Sequence, residues 1–281
     1  MTIAYLNGKF LPIEQATISP MDRGFLFGDS VYEVIPVYNN KPFRAEQHLT
    51  RLANSLAAIQ LTTPLDNNNW HKIFAELIQQ NGGGHQSIYL QCTRGFSPLR
   101  DFPFPNNIKP TIFAYSAPLH SKSVAELSQG ISAITVKDIR WLRCDIKSTN
   151  LLANVLLRQQ AVAQGAQEAI LVRDGFAVEG SATNLFVVKK AKLITPVKNN
   201  LLLGGITREV VLELAAQQKI TFVERAIKEK ELSTADEIWL TSSNREIMPV
   251  MQLNTKPVGD GQAGPLWRKM IAAYQEFKQK L

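Results

Sequence analysis

Two side chains in this 281-residue chain stand where covalent work on a carbonyl would need them. Lys147 lies in WLRCDIKSTNLLANVL. Apolar residues at helical spacing begin straight after Ser148, Thr149 and Asn150, which are helix N-cap types. An amine beside the positive end of a helix dipole, and partly withdrawn from water, gives up its proton more readily. That is what an amine attacking an aldehyde requires. A solvated loop lysine is the commoner arrangement, so the position alone does not decide. Glu179 closes the hairpin in FAVEGSATNLF, next to small residues. A carboxylate there could meet the nitrogen of a pyridine ring and keep it protonated, making the ring a stronger electron sink. The bland alternative is a strand-end glutamate facing water.

Three further features could seat a phosphate. In GGITREVV, Gly204 and Gly205 precede a helix opening near Thr207, so free N–H groups and the helix dipole would face an anion. The strand IWLTSS ends in the hydroxyls of Thr241, Ser242 and Ser243. Arg51, in a helix whose apolar side contains Leu49 and Leu52, could present a forked donor. Each has a plain structural counterpart: a loop, an N-cap, a solvated helix surface. No Gly-Lys-Ser/Thr follows the glycines, so this is not a Walker loop.

The elements that would carry these residues are mixed. IAYL and KFLPI flank an Asn7-Gly8 turn and read as a hairpin, and VYEVIPVYNNKPF as two strands joined at Asn39-Asn40. Leu49, Leu52, Ala53, Leu56 and Ala57 give a helix from about Arg44, and a second is expected from about Trp70 to Gln80. Two strands then flank a Pro-rich loop from Phe96 to Pro110, and loops of that length often carry function. PLHSKSVAELSQG reads as the passage between an N-terminal domain (1–118) and a C-terminal domain (119–281). The second half gives further strands and hairpins, a helix from about Asn150 to Gln164, one from Thr207 to Gln218, and a closing helix from about Pro265. Strands that follow one another through tight turns favour α+β over a doubly wound parallel sheet.

Composition narrows the classes. No stretch approaches the roughly 20 apolar residues that span a bilayer, and the start lacks the pattern of a secretion signal. Cys92 and Cys144 have no paired metal-ligand spacing. A reducing, cytoplasmic setting is therefore expected, with no metal centre. The four histidines, His48, His71, His85 and His120, read as structural or surface residues. The formal charge of +7 comes from scattered Lys and Arg. Nucleic-acid binding would need a clustered basic face, so a solvated surface suited to anionic small molecules is the better account.

The ordered set GDSVYEV, HLTRL, DIKSTNLLANVL, EGSATNLF, GGITREVV and LTSSNREIMPV resembles the class IV, fold-type IV, pyridoxal-phosphate aminotransferases over nearly the whole chain. WLRCDIKS and the VYEV strand are most similar to the D-amino-acid (D-alanine) aminotransferases. The resemblance implies two α/β domains with pyridoxal 5'-phosphate in the cleft between them, and a homodimer as the working unit. It implies a transaminase moving the amino group of a D-amino acid to a 2-oxo acid such as 2-oxoglutarate. Lys147 would be the Schiff-base lysine and proton shuttle, Glu179 the partner of the ring nitrogen, and Leu203 a packing contact to the ring. Arg51, the backbone at Ile206 and Thr207, and Ser242 with Ser243 would hold the phosphate, while Tyr32 would help bind the substrate carboxylate. Relatives commonly add an Arg-x-His pair in the loop after TRG, reaching across the dimer to that carboxylate. Here the loop reads TRGFSPLRDFPFP. Arg100 supplies the arginine if one residue is inserted, and Phe102 stands where the histidine would be. A 4-amino-4-deoxychorismate lyase is the alternative. Ser148-Thr149-Asn150 in place of its usual His-Leu-Asn argues against it, and the altered loop argues for it. A branched-chain aminotransferase is the remote alternative.

Overall fold

Asn7 and Gly8 both take positive φ, 49° and 95°. That is the backbone of the tight turns that join hairpin strands, here β1 (Ile3–Leu6) and β2 (Lys9–Pro12). Asn39 and Asn40 do the same between β3 (Ser30–Tyr38) and β4 (Lys41–Pro42). The computed structural model describes residues 2–62 and 64–280. With β5 (Gln86–Thr93) and β6 (Thr111–Pro118) these strands form a six-stranded sheet of order β2-β1-β6-β5-β3-β4. Every pairing in it is antiparallel.

Two helices supply the core of that sheet. They are α2 (Ala45–Ala58) and α3 (Asn67–Gln80), preceded in the chain by the short α1 (Arg23–Phe27). Leu49, Leu52 and Leu56 of α2 pack with Trp70, Phe74 and Leu77 of α3 and with Val31, Ile35, Ile88 and Leu90 of the sheet. Each such side chain contributes roughly 1.5–3 kcal/mol by leaving water. The buried stripe of α2 differs from the expected one. Ala57 is exposed, and the polar His48 and Ser55 take places on the buried side. α3 starts before Trp70 because Asp66 caps it, accepting a hydrogen bond from the Asn69 N–H at 2.8 Å.

The chain divides into two units. One runs to Ser121 and takes in Ile146–Asn150; the other holds Lys122–Asp145 and Leu151–Lys280. The short segment Ile146–Asn150, expected in the C-terminal domain, thus clusters with the first unit. Its backbone explains this: Tyr32 N–H donates to the Lys147 carbonyl at 3.0 Å, Thr149 N–H donates to the Ser30 carbonyl at 3.1 Å, and Val31 and Ser148 form an antiparallel bridge. β4 pairs only with Val37 and Tyr38, so the first half of β3 has an edge left for this segment.

In the second unit the strands are β7 (Ile131–Lys137), β8 (Glu168–Arg173), β9 (Phe176–Gly180), β10 (Asn184–Lys189) and β11 (Lys192–Thr195). They continue as β12 (Phe222–Glu224), β13 (Ile227–Lys228), β14 (Glu237–Ser242), β15 (Glu246–Leu253) and β16 (Lys256–Pro257). Among the described residues they make one sheet of order β12-β11-β10-β14-β15-β7-β8-β9-β13, with β16 on β15. Antiparallel pairs dominate, but β7 and β8 run parallel through the crossover helix α5 (Leu152–Ala163), following the short α4 (Val124–Ser128). α4 lies in the stretch read as a plain passage, and Ser123 with Glu126 forms a capping box at its start. The remaining helices are α6 (Ile206–Gln217), α7 (Glu229–Leu232) and α8 (Pro265–Gln279). The architecture is α+β, as the sequence indicates.

Candidate active site

Lys147 is positioned by β3 and α2. Besides the β3 bonds, its own N–H donates to Ser55 Oγ at 3.3 Å, and its Nζ lies 4.1 Å from the centroid of the Tyr32 ring. Tyr32 in turn stacks on Tyr89 at 5.7 Å. The expected helix-start setting is corrected. α5 begins at Leu152 with Leu151 as its N-cap and no side-chain cap bond. Ser148 to Asn150 do not cap it because they are engaged elsewhere: Ser148 bridges Val31, and Thr149 Oγ1 is hydrogen-bonded to Ser30 Oγ. Gly28, at φ 65° after α1, leaves room for Asn150, whose Oδ1 would lie 2.2 Å from a Cβ there. Lys147 is therefore held by strand pairing, five residues ahead of the helix.

One turn of α2 and one position of β3 form a buried ion cluster beside it. Glu33, fully buried, accepts from Arg51 Nε at 2.7 Å and from Arg51 Nη2 at 2.7 Å, and its Oε2 lies 2.7 Å from His48 Nδ1. Burial alone would push the Glu33 carboxyl up, but Arg51 and His48 outweigh it and hold the carboxyl well below the usual range. Burial lowers His48, opposed by Glu33. His48 Nε2 is buried without a hydrogen-bond partner among the described residues. Arg51 is thus fixed by two charge-assisted bonds rather than solvated.

The second unit builds a separate cluster around Glu179 on β9. Arg140 Nη1 donates to Glu179 Oε1, Asn184 Nδ2 donates to Oε2 at 3.1 Å, and the Leu203 N–H donates to Oε2 at 3.2 Å. Asp138 holds Arg140 through both oxygens at 3.0 Å, and Arg173 bonds the same aspartate at 3.0 Å. Burial raises Glu179, Arg140 and the Leu203 N–H pull it down, and the balance leaves it pushed up to about 7. A carboxyl set that way exchanges its proton near neutrality.

Asn184 links this cluster to the start of α6. Its Nδ2 also donates to the Leu203 carbonyl at 2.8 Å, and its Oδ1 would lie 1.9 Å from a Cβ on Gly205. Gly205 is the N-cap, and the first α6 turn closes by Glu209 N–H donating to the Gly205 carbonyl at 3.0 Å. The N–H groups of Ile206 and Thr207 thus belong to the unpaired first turn. Asn184 faces Thr241 across the β10–β14 ladder, and Ser242 and Ser243 follow it, half-buried. Thr241 Oγ1 is buried without a partner among the described residues.

Of the residues singled out in the sequence, Lys147, Tyr32 and Arg51 fall together in the first unit. Glu179, Leu203, Ile206, Thr207, Ser242 and Ser243 fall in the second. Arg100 is exposed in the first unit's loop, its guanidinium carbon 5.0 Å from the Phe27 ring centroid. Missed were Glu33, Asp138, Arg140 and Asn184; His48, read as structural or surface, is buried against Glu33. A buried carboxylate requires a cation, and Asp138-x-Arg140 at a strand end was a readable source for Glu179. Nothing in the spacing of Asn184 indicated that its amide would donate to both Glu179 and the Leu203 carbonyl.

The amino-transferase class IV profile matches residues 30–253. The D-alanine aminotransferase of Staphylococcus haemolyticus is 37% identical over 278 residues, covering 99% of this chain and 98% of that protein. That of Bacillus licheniformis is 38% identical over 269 residues, covering 96% and 94%. Among solved structures, the Escherichia coli branched-chain amino acid aminotransferase superposes with a TM-score of 0.92 at 26% identity, covering 98% of this chain and 93% of that one. A T.th. branched-chain amino acid aminotransferase complexed with N-(5'-phosphopyridoxyl)-L-glutamate gives 0.90 at 27%, covering 98% and 93%.

Proposed function

The chain belongs to the class IV aminotransferases, and we propose that it moves the amino group of a D-amino acid, D-alanine in type, to a 2-oxo acid such as 2-oxoglutarate. The observation that carries the substrate side is likeness to D-alanine aminotransferases over nearly the full length of both chains. The branched-chain enzymes share the fold at lower identity.

The family works with pyridoxal 5'-phosphate, which when bound supplies the aldehyde that takes the amino group and a ring that withdraws electrons from Cα. The residues present fit that group. The orphaned Thr241 hydroxyl, the Gly204-Gly205 opening of α6 and a buried carboxyl poised near 7 are the donors and acid it calls for. In this reading Lys147 would hold the cofactor through its amine and would carry a proton at Nζ beside the substrate. Tyr32 limits where that amine can swing. Glu179, its two oxygens fixed by Arg140 and Asn184, would meet the ring nitrogen. Leu203 would pack against the ring. Ile206 and Thr207 N–H, Ser242, Ser243 and Arg51 would hold the phosphate and so orient the group. Arg100 and Tyr32 take the substrate carboxylate, with Phe102 replacing an imidazole donor.

A homodimer is part of the proposal. Its support is an exposed apolar stripe on α5, Leu152, Val155, Leu156 and Val162, opposite the buried Leu157 and Ala161. The deciding experiment is one activity panel: D-alanine, L-leucine and 4-amino-4-deoxychorismate, each with 2-oxoglutarate. D-alanine is expected to give pyruvate and D-glutamate. Pyruvate from 4-amino-4-deoxychorismate with none from D-alanine would mean a lyase.

A further inference from the structure

The loop that carries Arg100 has its backbone gripped by buried charge. Arg23, on α1 and 3% exposed, donates from Nη1 to the carbonyls of Asp101 at 2.6 Å and Pro103 at 3.4 Å, and from Nη2 to that of Phe102 at 3.0 Å. Its Nε is tied to Asp29 Oδ2 at 2.9 Å. The same aspartate takes Arg94 through Nε at 2.7 Å and Nη2 at 3.0 Å. Arg94, equally buried, is also fixed to the Ile59 carbonyl at 2.6 Å, and its guanidinium lies over the Phe104 ring at 3.6 Å. Four consecutive loop residues, Asp101 to Phe104, are therefore held by two arginines that share one carboxylate.

The side chains of that loop are treated differently. Phe102 stays 74% exposed although its carbonyl is captured. Phe27 is the ring at which the two sets meet. The Arg23 guanidinium lies 4.8 Å from its centroid, that of Arg100 5.0 Å, and Phe102 packs on it at 5.6 Å. A guanidinium that reads three successive carbonyls fixes backbone torsions, which a buried apolar contact would not do. The cost of burying two arginines against one aspartate exceeds what a plain surface loop would need.

We propose that Arg23, anchored by Asp29 and Arg94, is a positioning residue that sets Arg100 for the substrate carboxylate. The inference rests on the carboxylate role given to Arg100 above. It places substrate discrimination in a preorganised loop, where ordering the loop on each binding event would otherwise weaken affinity.

The test is a double-mutant cycle on the holoenzyme with D-alanine. Arg100→Ala is expected to raise KM, and Arg23→Gln to raise it on the order of 10-fold in the presence of Arg100. In the Arg100→Ala background, Arg23→Gln should add little, and neither change should alter affinity for pyridoxal phosphate. Arg23→Lys keeps a cation beside Asp29 but lacks the fork that reaches three carbonyls, and should still raise KM, which keeps the test open if Arg23→Gln fails to fold. Full additivity in the cycle, or an unchanged KM in Arg23→Lys, overturns the positioning role. An unchanged KM in Arg100→Ala itself removes the carboxylate role, and the positioning role with it, and is told apart by occurring in the single variant.

Discussion

At the scale of single residues, Glu179 carries the clearest consequence. Its ordinary value is 4.5 and the fold pushes it up to about 7, chiefly by burial. Between those values the folded, cofactor-free protein holds a proton that the unfolded chain has released. The contribution to stability is therefore complete below about 4.5 and is lost as pH rises through about 7. Urea unfolding of the apoprotein should show it: stability falls by something on the order of 3 kcal/mol from about pH 4.5 to pH 8 beyond what Glu179→Gln shows. Parallel curves for the two proteins would refute the assignment. With cofactor bound, the role proposed for Glu179 predicts that Glu179→Gln lowers kcat about 100-fold or more while pyridoxal phosphate still binds, since an amide would not keep the ring nitrogen protonated. Arg140 works against burial at this position, and Asp138 keeps Arg140 from pairing with Glu179 alone.

Elements decide how these groups are presented, and here the opening of α6 is the sensitive point. An alanine at Gly205 would place its Cβ 1.9 Å from Asn184 Oδ1. The backbone there, φ −72°, tolerates alanine, so the conflict is steric alone. Gly205→Ala should then turn the Asn184 amide away from both Glu179 and the Leu203 carbonyl. A loss of about 1–3 kcal/mol in stability and about 10-fold in cofactor affinity is expected. A fluorescence titration with pyridoxal phosphate measures the second, and an unchanged affinity would show that the amide is dispensable. Much at this scale was legible beforehand. The Asn-Gly and Asn-Asn turns, the apolar periods of α2 and α3, and the glycines before α6 follow from local chemistry. Less legible was anything set by partners distant in sequence. Ser148, Thr149 and Asn150 have cap chemistry, but pairing with β3, more than a hundred residues away, claims them first. His48 and Ser55 look like breaks in an apolar stripe, and only Glu33 and the Lys147 N–H explain them. Arg140 from the loop after β7 and Asn184 of β10 meet Glu179 of β9 only once the sheet has formed, and for Asn184 no spacing along the chain encodes it.

For the molecule as a whole, the α5 stripe and the paired edge of β3 matter most. Leu152 is 72% exposed and Val155 59%, on a helix whose other side is buried. Val155→Glu is expected to convert a dimer to monomer in sedimentation velocity with little loss in the stability of either unit; a sedimentation coefficient unaffected by the change would place the stripe outside any contact between copies. No described helix is long and apolar enough to cross a membrane. The pentapeptide Ile146–Asn150 has a further effect beyond carrying the amine. It covers the open rim of β3, whose free N–H and C=O groups would otherwise be a template for other extended chains. A polypeptide ending at Ser121 would lose that cover and present Ser30 to Tyr32 bare, so self-association into β-rich aggregates is the outcome to expect, relieved by a peptide spanning 146–150. The lysine segment thus doubles as protection against misassembly, which ties solubility of the first unit to the residue proposed to perform the chemistry.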